Sequence, residues 1–192
     1  DRKFKLKVIN AKFPEKVLSR EEILKIKNPI IINCASATPS NSIKKEIFNN
    51  NVNLSLAIIE LIKLLKDPKL INISSQDAYG QNIEQLKDKS EINKSLISES
   101  ELYSKFSSYG ASKLCSEYIF NYYCDILNLK NVSLRIPAIV GSRSYKNPST
   151  FISNVVAKLL NNQKLELYNK DSLFNNLIHI KTLSEIIRYI VT

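Results

Sequence analysis

The sequence predicts an α/β fold of three layers, a parallel sheet covered by helices on both faces. Short apolar runs recur at Ile30–Ile32, at Leu70–Ile73 and within "NVSLRIPAIVG". Segments with apolar residues at helical spacing separate them. Strands that alternate with helices need right-handed crossovers, and such crossovers build a parallel sheet.

The elements follow in order. "KLKVINAKF" (Lys5 to Phe13) reads as a strand with a polar margin. In "SREEILKIK", Ser19 and Glu22 have the spacing of a capping box at the start of a short helix. Ile30–Ile32, bounded by Pro29 and small residues, fits a buried parallel strand. "SIKKEIFNNNVNLSLAIIELIKLLKD" is a long helix whose Leu54, Ile58, Leu61 and Leu65 recur at spacings of three and four. Leu70–Ile73 is the next strand and ends at the pair Ser74 and Ser75. Residues 81–105 are polar and irregular, a long surface excursion. Tyr109 to Leu127 is helical, and "NVSLRIPAIVG" is a third strand. Then come a helix in "STFISNVVAKLLNN", short strands in "KLELYN" and "NLIHI", and a helix in "LSEIIRYI". No internal repeat is visible.

A chain of 192 residues, 44% apolar and 24% charged, has enough material for a real core. No apolar run approaches the roughly 20 residues that a bilayer span requires, and the start has no signal-peptide pattern. The three cysteines, Cys34, Cys115 and Cys124, match neither a zinc site nor a disulfide framework. That points to a reducing, cytoplasmic setting, with all three expected to pack in the interior. The formal charge of +10 invites a nucleic-acid reading, but the lysines are spread along the chain. Arginine, the better bidentate reader of phosphate, appears only at Arg2, Arg20, Arg135, Arg143 and Arg188. Abundant Lys, Asn and Ile are what AT-rich codons encode, so neither nucleic acid nor membrane is an expected partner. The chain contains no methionine and begins at Asp1, which predicts a piece of a longer protein, trimmed at the front.

Chemistry concentrates in "SSYGASKLCSEY". Tyr109 and Lys113 are four residues apart and share a helix face. A nearby ammonium favours the phenolate, so the pair suits proton exchange with an alcohol whose carbon gives up hydride. In a chain with nine tyrosines and many lysines, one such spacing is expected by chance. Ser74 and Ser75 stand at the carboxyl end of a predicted strand, where parallel sheets bind ligands. A serine there can hydrogen-bond a substrate oxygen, or can simply close a turn.

"NCASA", "NNNVNLSLAIIELIK", "ISSQDAYG", "SSYGASKLCSEY" and "LRIPAIVG" together resemble the extended short-chain dehydrogenase/reductase family, the NAD-dependent sugar epimerases and dehydratases. The resemblance runs from about Ile30 to Ile187. Gly80, Gly110 and Gly141 all fall at family positions. It implies a Rossmann-like sheet, truncated at the N-terminus. Residues 1–142 would be part of a dinucleotide-binding domain, and 143–192 the start of a small substrate subdomain. It also implies roles: Ser75, Tyr109 and Lys113 as the catalytic set, with Lys113 also on the nicotinamide ribose. Cys34, Ala35, Ser36, Asn50 and Pro137 would lie along the cofactor, which is NAD or NADP with NAD favoured. The implied partner is a nucleotide-sugar. Family members pair through the helix that carries the tyrosine, and Tyr118, Tyr122 and Ile126 could line such a homodimer face.

Departures from the family pattern qualify this. No glycine-rich turn for a pyrophosphate exists in the chain. Dehydratases place an Asp-Glu pair after the catalytic hydroxyl, where this chain has Gln76 and Asp77. Asn175 stands where an arginine usually grips a nucleotide phosphate, and Thr182 replaces a customary aspartate. His179 is expected to be a structural residue of a core strand. Three readings follow: an epimerase, a keto-sugar reductase using NADPH, or a non-catalytic relative kept as a binding subunit.

Overall fold

The structure is a computed structural model that describes residues 25–39, 44–80, 105–141, 151–166 and 177–192. The strand expected at Lys5 to Phe13, most of "SREEILKIK" and nearly all of the 81–105 excursion lie outside the described residues.

Strand β1 (Ile30–Asn33) leads to helix α1 (Lys44–Lys63), strand β2 (Lys69–Ser75) and a single 3-10 turn at Gln76–Tyr79. Helix α2 (Ser108–Ile126) then leads to strand β3 (Lys130–Ile136). The three strands form a parallel sheet in the order β1-β2-β3. The α/β parallel architecture expected from the sequence is thus present. Helix α1 packs on α2, so both crossover helices lie side by side on one face.

The third expected strand is two strands. Pro137 has no N–H to continue a ladder, so β3 stops at Ile136 and β4 (Ala138–Val140) begins beyond it. Whereas β3 pairs with β2, β4 pairs in parallel with β5 (Leu177–His179). Helix α3 (Phe151–Leu160) and helix α4 (Ile180–Val191) complete the described elements. Of "KLELYN", residues 164–166 form no strand and the rest lies outside the described residues.

The packing of α1 and α2 on the sheet is graded along the strands. At the amino ends of the strands, Ile58, Ile59, Ile62, Leu70, Phe120 and Cys124 form a buried apolar cluster. Toward the carboxyl ends the same interface becomes polar. On β2, Leu70 gives way to Asn72 and Ser74, which point to the same face because a strand alternates with period two. On α1 the inward residues become Ser55 and Asn51, and on α2 they become Ser116, Ser112 and Lys113. Each polar group is paired. Asn33 donates to Asn72 at 3.0 Å and Asn72 donates to Ser133 at 3.1 Å, a ladder across three residues in register. Ser55 donates to Ser116 at 2.8 Å across the helix pair.

Helix α2 is bounded by defined caps. The Ser107 hydroxyl accepts the Gly110 N–H at 3.0 Å. At the other end Asn128 takes φ 52°, while Leu129 N–H bonds Cys124 C=O and Asn128 N–H bonds Asp125 C=O. This is a Schellman closure with asparagine in place of glycine. No described helix is long and apolar enough to cross a membrane.

Candidate active site

The polar end of the helix–sheet interface is where the predicted site residues gather. The cap at Ser107 starts α2 just before Tyr109, which places the tyrosine in the first turn beside the carboxyl end of β2. Gly110 permits this approach. A Cβ there would lie 2.3 Å from the Asp77 carbonyl oxygen, so no larger residue could dock the helix so closely on the 3-10 turn. Gly80 closes that turn with φ 81°, a conformation glycine adopts without strain.

Lys113 is only 4% exposed, yet it carries an ammonium. Its Nζ donates to the Ile73 carbonyl at 2.6 Å and lies 6.0 Å from the centroid of the Tyr109 ring. Desolvation lowers its pKa to about 8, opposed by the negative charge of Glu117 and, less strongly, by Cys34.

The Tyr109 phenol departs from expectation. The sequence suggested that Lys113 would lower its pKa. Instead, burial and the nearby Asp77 carboxylate push it above its ordinary value, and the hydroxyls of Ser36 and Ser75 pull it partly back. The physical reason is direction: Lys113 spends its short hydrogen bond on Ile73 rather than on the phenol. The resting tyrosine is therefore a proton donor.

Ser74 and Ser75 separate by strand alternation. Ser74 is buried and donates to Glu117. Ser75 caps the 3-10 turn by accepting the Asp77 N–H at 3.2 Å, and its hydroxyl acts on Tyr109. Ser36, expected only to line a cofactor, is a second hydroxyl acting on the phenol. Burial also pushes the Asp77 carboxyl above its usual range.

The predicted Asn50 is exposed on α1, and its neighbour Asn51 is the residue turned inward. The Asn51 amide accepts the Ala37 N–H at 2.7 Å and the Ser36 hydroxyl at 3.2 Å. It donates to the Ala37 carbonyl at 3.0 Å and to Ser112 at 2.8 Å. Ser112 in turn donates to the Tyr109 carbonyl at 2.7 Å. Asn51 thus ties the turn after β1 to the helix that carries the tyrosine. Three consecutive asparagines, Asn49 to Asn51, hid its identity; placing Ser55 and Ile58 on the inner face would have singled it out.

Cys34, Ala35 and Ser36 follow β1, and Pro137 follows β3, both at carboxyl ends beside this cluster. Cys34 is exposed rather than packed inside, whereas Cys124 is fully buried and Cys115 half-buried. Local desolvation raises the Cys34 thiol, with Lys113 pulling the other way. His179 is exposed at the end of β5 and caps α4, its Nδ1 accepting the Lys181 N–H at 3.2 Å. It stands at a helix start rather than inside the core strand expected. Thr182 is exposed on α4, and Asn175 lies outside the described residues.

The arrangement holds one ammonium, one phenol and two hydroxyls at the carboxyl ends of parallel strands. Such a set can exchange a proton with an alcohol or carbonyl oxygen and can hydrogen-bond a ribose. The model of the NAD dependent epimerase/dehydratase family matches residues 2–192. The chain belongs to that family.

A comparison with curated proteins finds no match. Among solved structures, the UDP-N-acetylglucosamine 4-epimerase of Methanobrevibacter ruminantium, in complex with UDP-N-acetylmuramic acid, is similar at TM-score 0.69 and 22% identity. That likeness covers 88% of this chain and 52% of the other. The dTDP-glucose 4,6-dehydratase of Bacillus anthracis, in complex with NAD, is similar at TM-score 0.66 and 22% identity, over 83% and 46%. The UDP-glucose 4-epimerase of Thermotoga maritima, with UDP-glucose, is similar at TM-score 0.67 and 18% identity, over 81% and 49%. At these identities the likeness is one of fold, the Rossmann-like sheet of the epimerase/dehydratase family. The chain spans about half the length of these structures.

Proposed function

We propose that the protein is an NAD-dependent epimerase of a nucleotide-sugar, with Tyr109, Lys113 and Ser75 handling the proton as a sugar carbon is oxidised and reduced again. The observation that carries this reading is the approach of Ser75 and Ser36 to the Tyr109 phenol beside a buried lysine, in a chain of the epimerase/dehydratase family. Residues 1–142 would belong to the dinucleotide domain and 143–192 to the substrate region.

The donor set suits the ribose end of a nicotinamide nucleotide. Lys113 has three N–H donors and Ile73 takes one, which leaves donors for ribose hydroxyls. The turn Cys34–Ser36 and Pro137 would flank the group, and Asn51 fixes that turn in place. A nicotinamide bound there supplies the acceptor and donor of hydride and, when oxidised, a positive charge beside the phenol. Ser75 hydrogen-bonds the sugar oxygen. Tyr109 would act here as the phenolate: with the oxidised nicotinamide's positive charge beside it, the phenol would first release its own proton to solvent. It would then take the proton from that oxygen as the carbonyl forms, and would return it when the carbonyl is reduced. The exposed stripe of Tyr118, Tyr122 and Ile126 on α2 is consistent with pairing to a second copy.

A second reading has its own support. A phenol held protonated at rest equally suits a keto-sugar reductase, which consumes NADPH once per turnover. The experiment is to purify the full-length protein, denature it and assay released nicotinamide. Tightly held NAD supports the epimerase, because an enzyme that regenerates its cofactor need not release it. An empty protein that oxidises NADPH only with a keto-sugar supports the reductase. A protein that neither holds nor consumes nicotinamide removes the catalytic reading and leaves a binding subunit.

A further inference from the structure

Beneath the site, one buried acid ties α2, β2 and β3 together. Glu117 is 7% exposed. Its carboxylate accepts Nη2 of Arg135 at 2.7 Å and Nε at 3.1 Å, and the Ser74 hydroxyl donates to its Oε1. The Arg135 guanidinium lies 4.4 Å from the centroid of the Tyr79 ring. Every partner adjoins the site. Ser74 precedes Ser75, Arg135 pairs with Ser74 across the sheet two residues before Pro137, and Tyr79 ends the turn that carries Asp77. Glu117 itself stands one helical turn after Lys113. A buried ion pair is weak as a device for stability alone, since its desolvation offsets most of the attraction.

We propose that Glu117 is a positioning residue: anchored by Arg135 and Ser74 one helical turn from Lys113, its buried carboxylate keeps the Lys113 ammonium charged beside Tyr109, where the Ile73 carbonyl holds it. The inference rests on the function proposed above. Burial works against that ammonium, bringing it to about pKa 8, and Glu117 is the strongest opposing influence. The other neighbours are accounted for. On α2 Lys113 faces Tyr109, and after β1 it faces Cys34. Asp77, on the 3-10 turn, acts on Tyr109. From α1 come the uncharged Asn51 and Ser55. On β3, Arg135 is positive and turned to Glu117. Removing the Glu117 charge would take away the support for Lys113 and the carboxylate that faces Arg135. Both changes make the ammonium lose its proton at lower pH.

The test uses the full-length protein with the variants E117Q and E117D. It reads the pH profiles of kcat and KM, and the titration of the Lys113 side chain by NMR of isotope-labelled lysine. In E117Q the alkaline limb of kcat and the Lys113 midpoint move down together by about one pH unit. E117D restores both. An E117Q protein that loses thermal stability but keeps its limb and midpoint would overturn the proposal. If the parent shows no nicotinamide-dependent turnover, the proposed function fails by itself. The Lys113 midpoint then still decides: lowered in E117Q it supports the positioning role, unchanged it ends it. Should E117Q not fold, R135Q tests the same charge with opposite sign. Glu117 freed of its cation raises the Lys113 midpoint, and an unchanged or lowered value overturns the proposal.

Discussion

Lys113 crosses from α2 to the backbone of β2 and donates to the Ile73 carbonyl at 2.6 Å, a charged group held in a site that is 4% exposed. Its pKa of about 8 lies below the ordinary 10.5, so between those values the unfolded chain binds more protons than the folded one. Stability therefore rises with pH across that window, by an amount on the order of 3 kcal/mol if nothing else titrates. Below pH 8 the charged lysine imposes its full cost. K113M lacks this dependence. Its stability relative to the parent is greatest near neutral pH and declines toward pH 10.5, as urea unfolding at several pH values would measure. Parallel pH dependences of parent and variant would contradict the assignment.

Asn50 and Asn51 differ in consequence although they are neighbours. Asn50 is exposed, and N50A should change stability by no more than about 0.5 kcal/mol. N51A leaves the Ala37 N–H without its acceptor and removes the amide donor to Ser112, whose hydroxyl keeps its bond to the Tyr109 carbonyl; the loss costs about 1–3 kcal/mol. It also loosens the turn carrying Ser36. Denaturation midpoints of the two variants and their nicotinamide content check this, with N51A affected in both and N50A in neither.

Gly110 lets the first turn of α2 rest on the Asp77 carbonyl. In G110A the added carbon cannot fit at 2.3 Å, so helix and turn must part. The overpacking costs about 1–3 kcal/mol. A displaced Tyr109 should lose turnover further, by about a hundredfold for a shift near 1 Å. A variant with parental melting temperature and turnover would show that the contact is not needed.

Much of this was legible in the sequence, for stated physical reasons. Period and punctuation located α2, β2 and the strand at Ile30, because helical spacing marks Tyr109 to Leu127 while Pro29 and the paired serines mark strand ends. Pro137 was in plain view, yet one continuous strand was expected through it. A proline breaks a ladder even where the apolar run continues. The inner face of α1 was harder to read. Of the expected Leu54, Ile58, Leu61 and Leu65, Ile58 is in the core and Leu54 packs against it, but Leu61 and Leu65 are only half-buried; the buried line runs through Asn51, Ser55, Ile58, Ile59 and Ile62. Hydropathy does not mark a buried asparagine. The state of the Tyr109 phenol was not legible either. Spacing placed Lys113 on its face, but only coordinates show the ammonium bound to Ile73 and the Asp77 carboxylate acting on the phenol.

The most direct measurement of the central claim is the turnover of Y109F in the full-length protein, beside its circular dichroism and its nicotinamide content. The phenolic hydroxyl is the only group the substitution removes. The account predicts a folded variant whose turnover falls by at least 10²-fold, the scale of general acid–base catalysis. A folded Y109F with parental turnover would contradict it, and Tyr109 would then be one more polar residue on a helix.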